Sequence, residues 1–229
     1  MKKHRMKNME ARYKTIGLFS VLAGCLFASS QVNAASVSYY LDQSNDLANG
    51  VNYAQVTLAD SVDFVGDIEV TVEVITSAFP TPLSNFGMQA FYFNYDNDLT
   101  VNAANIIVLD PSDWTVSTVI NAGGGFDKFE FGIVGNGSNR TELLNFRITG
   151  VVGDTIESYA QGSEFLNPAS TQYFAAHIAG YDDGLSGNTG GKFAGSSFVP
   201  IPAAVWLFGS GLVLLLGWTR KSRSALAKV

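Results

Sequence analysis

Four clusters of Asp and Asn have the spacing most suggestive of chemistry in this 229-residue chain: Asp42 with Asn45 and Asp46, Asp96-Asn97-Asp98, Asp110 with Asp113, and Asp182-Asp183-Gly184. Each gathers two or three oxygen donors within a turn, the donor type that calcium accepts. None completes an EF-hand or a nine-residue calcium repeat, and ordinary turns select the same residues, so no metal ligand and no cofactor is assigned. Glu69 and Glu73 share one strand face. At ~3.3 Å per residue they stand about 13 Å apart, beyond the roughly 5 to 9 Å that glycoside hydrolysis needs between its carboxyls. They read as the wet face of a sheet. His177 has no G-x-S-x-G elbow to serve and reads as a hydrogen-bonded structural residue. No catalytic residue is assigned. Phe91, Tyr92, Phe93 and Tyr95 crowd one strand, with Tyr39, Tyr40, Tyr53 and Tyr173 elsewhere. Aromatic faces stack on sugar rings, but a sandwich core wants the same residues, and alternation sends Phe91, Phe93 and Tyr95 to one side and Tyr92 to the other. Asn136-Gly137-Ser138 and Asn139-Arg140-Thr141 fit the glycosylation sequon and read as hairpin turns.

Charge and sulfur exclude whole classes. The net charge of −6 conceals a strong asymmetry. Between Ala35 and Val199 lie nineteen acids and only four bases, Lys128, Arg140, Arg147 and Lys192, for a net of −15. Such a body repels phosphate backbones, which rules out nucleic acid as a partner. The one cysteine, Cys25, falls in an N-terminal apolar stretch, and the histidines are His4 and His177. The region after that stretch therefore has no disulfide, thiol nucleophile or thiolate metal site.

The elements that must position these residues are strands. Ile68, Val70, Val72 and Val74 alternate with Glu69, Thr71 and Glu73 across Asp67 to Thr76, a half-buried antiparallel strand. Similar runs lie at Ser36 to Leu41, Val51 to Leu58, Phe86 to Tyr95, Asn105 to Leu109, Trp114 to Ile120, Phe126 to Val134, Leu143 to Thr149 and Gln172 to Ala179. Turn clusters separate them, among them Asn49-Gly50 and Gly123-Gly124-Gly125. About nine short strands without a helical period define an all-β fold: one antiparallel β-sandwich, jelly-roll or Ig-like, over Ala35 to Asp183. Five Gly and three Ser in Gly184 to Val199 read as a flexible tether. The alternative is a loop that ends the sandwich with Phe193 packed back onto it.

Both ends carry targeting patterns. A basic leader, the apolar run Ile16 to Ala28 and then Val32-Asn33-Ala34 follow the order of a secretory signal peptide over residues 1–34, cut between Ala34 and Ala35. A rival lipoprotein box, Leu22-Ala23-Gly24-Cys25, is followed by Leu26 and Phe27 where small or polar residues are usual. At the other end Ala203 to Trp218 is a 16-residue run without a charge, closed by Arg220, Lys221 and Arg223. At 1.5 Å per residue it reaches about 24 Å, close to a ~30 Å hydrocarbon core. Apolar on every face and stopped by bases, it reads as a membrane helix whose tail, residues 224–229, stays cytoplasmic.

Val-Pro-Ile-Pro-Ala-Ala-Val-Trp-Leu-Phe-Gly-Ser-Gly-Leu from Val199 to Leu212, followed by the basic tail, resembles the PEP-CTERM class of sorting domains in its VPLPA-type variant, with Ile201 standing where the type motif has Glu. The resemblance covers residues 200–223 and implies an exosortase-like membrane protease as partner. It also implies a sorting signal made of Val199, Pro200, Ile201, Pro202, Arg220, Lys221 and Arg223, and a Gram-negative host that makes exopolysaccharide. In the body, Met88 to Thr100 is similar to the strand and loop of cohesin-like or carbohydrate-binding sandwiches, and Phe174 to Ile178 resembles a segment of PEP-CTERM ectodomains.

The expectation is an exported, non-enzymatic envelope or matrix protein, structural, adhesive or glycan-contacting, with extracellular polysaccharide as a candidate partner. It is anchored in the inner membrane with its ectodomain in the periplasm, then moved to the cell surface or matrix. The alternatives are a carbohydrate-active enzyme and a calcium-stiffened adhesin. Intact-mass analysis of protein recovered from an exporting host is expected to give Ala35 as N-terminus; an acylated Cys25 peptide would contradict this.

Overall fold

The computed structural model describes residues 35–126, 128–162, 172–185 and 187–200. The expected leader with Cys25, the expected membrane segment and the basic tail lie outside the described residues, as do Ala34, Ile201 and Pro202. Among the described residues no helix is long and apolar enough to cross a membrane.

The strands are β1 (Ser36–Leu41), β2 (Gln43–Ser44), β3 (Ala54–Asp60), β4 (Ile68–Val74), β5 (Thr81–Phe93), β6 (Ile106–Asp110), β7 (Thr115–Asn121), β8 (Lys128–Val134), β9 (Leu143–Ile148), β10 (Phe174–Asp182), β11 (Asn188–Gly195) and β12 (Ser197–Pro200). They form two six-stranded sheets. The first runs β12-β1-β3-β4-β9-β6 and the second β2-β11-β10-β5-β8-β7, and every pairing is antiparallel. The all-β, two-sheet expectation holds.

Alternation decides what is buried. In β4, Ile68, Val70, Val72 and Val74 face the second sheet and are at most 4% exposed, while Thr71 on the outer face donates to Asn145 Oδ1 at 2.9 Å. In β5, Phe91 and Phe93 enter the core and stack with Phe146, Phe174 and Phe131 at ring separations of 5.4 to 6.0 Å. Tyr92 emerges on the opposite face, as the period of two requires. The aromatics assigned to core packing are there, with Tyr95 partly buried against Phe131.

Two expectations need correction. The Gly/Ser-rich stretch 184–199 is not a tether: from Asn188 it forms β11, which pairs with β10, and then β12, which pairs with β1. The sandwich therefore does not stop at Asp183 but continues to Pro200. Phe193 is fully buried among Tyr53 (4.7 Å), Phe79 (5.3 Å) and Tyr181 (6.4 Å). Of the glycines that suggested flexibility, Gly184 and Gly187 turn the chain with φ +77° and +81°, and those of β11 are there for space. A Cβ on Gly191 would fall 2.7 Å from the Tyr181 hydroxyl, and one on Gly190 2.6 Å from the Ala179 Cβ. The second correction is the strand count, twelve among the described residues rather than about nine, because two-residue β2, Gly-rich β11 and four-residue β12 lack an apolar alternation.

Edge strand β7 carries one local strain. Val119 has φ +49° and is skipped by the pairing between Thr118↔Phe131 and Ile120↔Phe129. A β-branched residue in that left-handed region costs roughly 1–2 kcal/mol, whereas Asn tolerates it. Because Val119 is largely exposed, Val119→Asn is expected to raise the unfolding free energy by about 1 kcal/mol in urea titration. A fragment of residues 35–200 is expected to melt cooperatively and one of 35–183 is not, while Phe193→Ala costs about 3–5 kcal/mol. Equal melting of the two fragments would remove β11 and β12 from the fold.

Candidate functional site

The outer face of the second sheet gathers two of the four bases of this acidic body. Alternation along β10 sends Phe174, Ala176 and Ile178 into the core and leaves Ala175, His177 and Ala179 outside. Beside them stand Ala90 and Tyr92 of β5 and Lys192 and Ala194 of β11. Ala90, Tyr92, Ala122, Phe129, Ala175 and Ala194 form a second buried apolar cluster on this side, with Ile120, Phe126 and Val134 packed against it. The β7–β8 connection crosses the face to reach β11: a Cβ on Gly124 would lie 2.7 Å from the Lys192 Cβ and 3.0 Å from the Asn45 Cγ. That close approach excludes a side chain at Gly124, while Gly123 and Gly125 hold φ +75° and +85°, and the loop lies over this part of the face.

The part left open carries charge. His177 stands directly opposite Lys192 in the β10–β11 register, a spacing of about 5 Å between Cβ atoms. A Cβ on Gly190 would come 3.3 Å from His177 Nε2, so the missing side chain leaves a notch beside the imidazole. Arg140 closes the third side. Its Nη1 donates to the Asn85 carbonyl at 2.8 Å and packs on Gly180, where a Cβ would sit 2.8 Å away. Its Nε is buried without a hydrogen-bond partner. Lys192 is fixed at its backbone, where its N–H donates to Asn45 Oδ1 at 2.7 Å. Among the described residues neither Lys192 nor Arg140 makes an ion pair.

Burial without a counter-ion sets the protonation states. Loss of water, and then the nearby charges of Lys192 and Arg140, lower the His177 pKa to about 4, so its imidazole is neutral at pH 7. Desolvation lowers Lys192 to about 8. A neutral imidazole, a lysine and an arginine around an apolar floor can accept an anion, and a bound carboxylate would raise both pKa values.

Of the residues singled out by sequence, His177 and Tyr92 are on this face and Asn45 and Asp46 border it, while the others lie apart. Asp46 Oδ2 accepts from the Tyr181 hydroxyl at 2.6 Å. Asp96 accepts the Asp98 N–H, Asp113 the Asn139 side chain, and Asp182 and Asp183 the N–H groups of Gly184 and Leu185. Among the described residues no three His, Cys, Asp or Glu side chains converge as a metal cage. Glu69 accepts from Ser61 Oγ at 2.7 Å and faces Arg147 across the strands, while Glu73 is exposed opposite Gln55 and Leu143. Asn136 caps its own turn by accepting the Ser138 and Asn139 N–H groups. Of the residues expected to form a sorting signal, Val199 and Pro200 are in β12, opposite Ser38 and Val37, rather than on a free tether. Ala35, beside the expected cleavage point, places its backbone nitrogen 3.1 Å from Asp60 Oδ2.

Sequence reasoning read His177 alone and so missed the cluster. Its two partners lie 37 residues upstream and 15 downstream, and the available signal was the scarcity of bases in the body. No family model, curated protein or solved structure matches this chain.

Because His177 is its region's one histidine, its imidazole resonances assign themselves. An NMR titration of residues 35–200 is expected to show them neutral at pH 6 and titrating near pH 4. A folded pKa below the unfolded ~6.5 makes stability fall as pH drops from about 6.5 towards 4. His177→Gln is expected to flatten that part of the profile. Titration at an ordinary histidine pKa would show the face to be fully hydrated.

Proposed function

We propose that this chain is an exported, C-terminally anchored envelope protein that is sorted through the Val199 to Arg223 signal by an exosortase-like membrane protease. Its sandwich contacts acidic extracellular polysaccharide through the outer face of the second sheet. The observation that carries the glycan reading is the convergence of His177, Lys192 and Arg140, two of only four bases, on one face of a body of net charge −15. A body so acidic repels a polyanion everywhere else, so a uronate-type chain has one place to lie. Its carboxylates meet Lys192 and Arg140 beside the half-buried His177 imidazole.

The connectivity fits a jelly-roll better than an Ig sandwich. Only β3–β4, β7–β8 and β10–β11 are neighbours within one sheet, and every other connection crosses between sheets. The ends favour export. Cleavage after Ala34 would leave the new α-ammonium of Ala35 beside the Asp60 carboxylate, a favourable surface pair.

Calorimetric titration with polygalacturonate is expected to give saturable binding that dextran, a neutral polymer, does not give. Lys192→Gln is expected to weaken it about tenfold or more, in line with ~1.5 kcal/mol for one charge-assisted contact. Equal binding of both polymers, or an unaffected Lys192→Gln variant, would contradict the reading.

A further inference from the structure

At one pole of the sandwich β1 and β4 begin and β3 ends, with Ser36 opposite Ala59 and Asp60 opposite Ile68. At the same pole β9 ends and β6 begins, with Ile148 facing both Ile68 and Ile106. The β3–β4 loop and the loop after β9 therefore project together. Four large apolar residues of the described chain are more than four-fifths exposed: Val62 (81%), Val65 (98%), Val152 (93%) and Leu185 (92%). Three of them, Val62, Val65 and Val152, are in these two loops. Leu185 is at the opposite pole, between β10 and β11.

The loops hold these valines out. Ser61 N–H donates to the Asp67 carbonyl at 2.9 Å, and Asp67 N–H to the Phe64 carbonyl at 3.0 Å. Phe64 N–H donates to Ser61 Oγ at 3.1 Å. Arg147 lies 3.7 Å over the Phe64 ring, with its Nε 3.1 Å from Asp67 Oδ2 and off the axis of a straight hydrogen bond. In the second loop Val151 is buried and Val152 turned outward, between Gly150 (φ +69°) and Gly153 (φ +81°).

The chain also leaves the sandwich here, since Pro200 pairs with Val37 at the start of β1. The uncharged run begins at Ala203, three residues on. Three residues span at most about 11 Å. An anchor at 203–218 therefore brings this pole against the bilayer, whatever the ectodomain binds at its side.

We infer that the Val62–Val65 and Val152 loops form a membrane-docking pole, seated in the interface of the bilayer that the C-terminal segment enters. The inference rests on reading 203–218 as a membrane span. Docking is apolar rather than electrostatic: Asp60 and Asp63 flank the tip, and Arg147, the base beside it, is held by Asp67 and the Phe64 ring. Neutral headgroups are accepted and anionic ones repelled.

The test uses the full chain, with Cys25→Ser, reconstituted in phosphatidylcholine vesicles. Single-cysteine variants Val65→Cys, Val152→Cys and Leu185→Cys carry a polarity-sensitive fluorophore, and the quencher is a lipid spin-labelled near the headgroup. Labels at positions 65 and 152 are expected to shift to the blue and lose most of their intensity, while the label at 185 is unaffected. Adding phosphatidylglycerol, or introducing Val62→Asp with Val65→Asp in the position-152 variant, is expected to restore emission while the protein resists alkaline carbonate extraction. Unquenched labels at 65 and 152 on carbonate-resistant protein would overturn the docking pole alone. Release of the protein by carbonate would overturn the anchor and the docking with it. Quenching that strengthens with phosphatidylglycerol would overturn the apolar mode.

Discussion

The two sheets share one edge where their backbones touch, and the register of the last strands depends on that contact. Gly195 runs so close to β1 that a Cβ there would sit 1.8 Å from the Tyr40 carbonyl oxygen and 2.9 Å from the Leu41 Cα. No side chain fits, and the limit is space rather than backbone angle. At this point two long segments change sheets side by side. β1 passes into β2 through Asp42, whose N–H donates to the Ala194 carbonyl at 3.0 Å, and β11 passes into β12 through Ser196. The Gly195 carbonyl accepts from Tyr173 N–H at 3.1 Å, which holds the start of β10 to the same crossing.

Each functional feature inherits its position from that crossing. Upstream of it, Phe193 points into the core and Lys192 outward, so the register that buries one sets the other opposite His177. Downstream of it, β12 runs along β1 to the pole where Val62, Val65 and Val152 project. A tether would have left the sandwich free to tumble about its anchor. A paired strand fixes the pole at which the chain leaves the sandwich, so the proposed anchor would meet that pole and leave the His177 face to the side.

Much of the fold was legible because one face of most strands is apolar and the other polar. β1 is read to the residue, and β4 and β9 within two residues, from alternation alone. β11 was not legible because its information lies in what its residues lack. Gly190, Gly191 and Gly195 meet Ala179, Tyr181 and Tyr40 at distances that forbid a Cβ, yet in sequence they are indistinguishable from the glycines of a linker. The start of β5 was hidden by Pro82, which pairs at a bulge with Tyr181. The Asp and Asn clusters were legible as turns, and the structure uses them so. The His177 cluster joins three segments, and only the pairing of β10 with β11 and the placing of Arg140 against Gly180 bring them together.

The register of Lys192 and the exit of the chain both depend on the Gly-rich end of the sandwich being a packed crossing rather than a linker, and Gly195→Ala addresses that most directly. The measurement is equilibrium urea unfolding of residues 35–200 followed by tryptophan fluorescence, Trp114 being the one tryptophan in that range. A methyl group forced against the Tyr40 carbonyl is expected to cost about 3 kcal/mol or more, or to abolish the cooperative transition. A Gly195→Ala protein that unfolds at the wild-type midpoint with the wild-type slope would mean that the strands do not cross there. The register of Lys192 against His177 and the exit of the chain at the valine-bearing pole would then both be wrong.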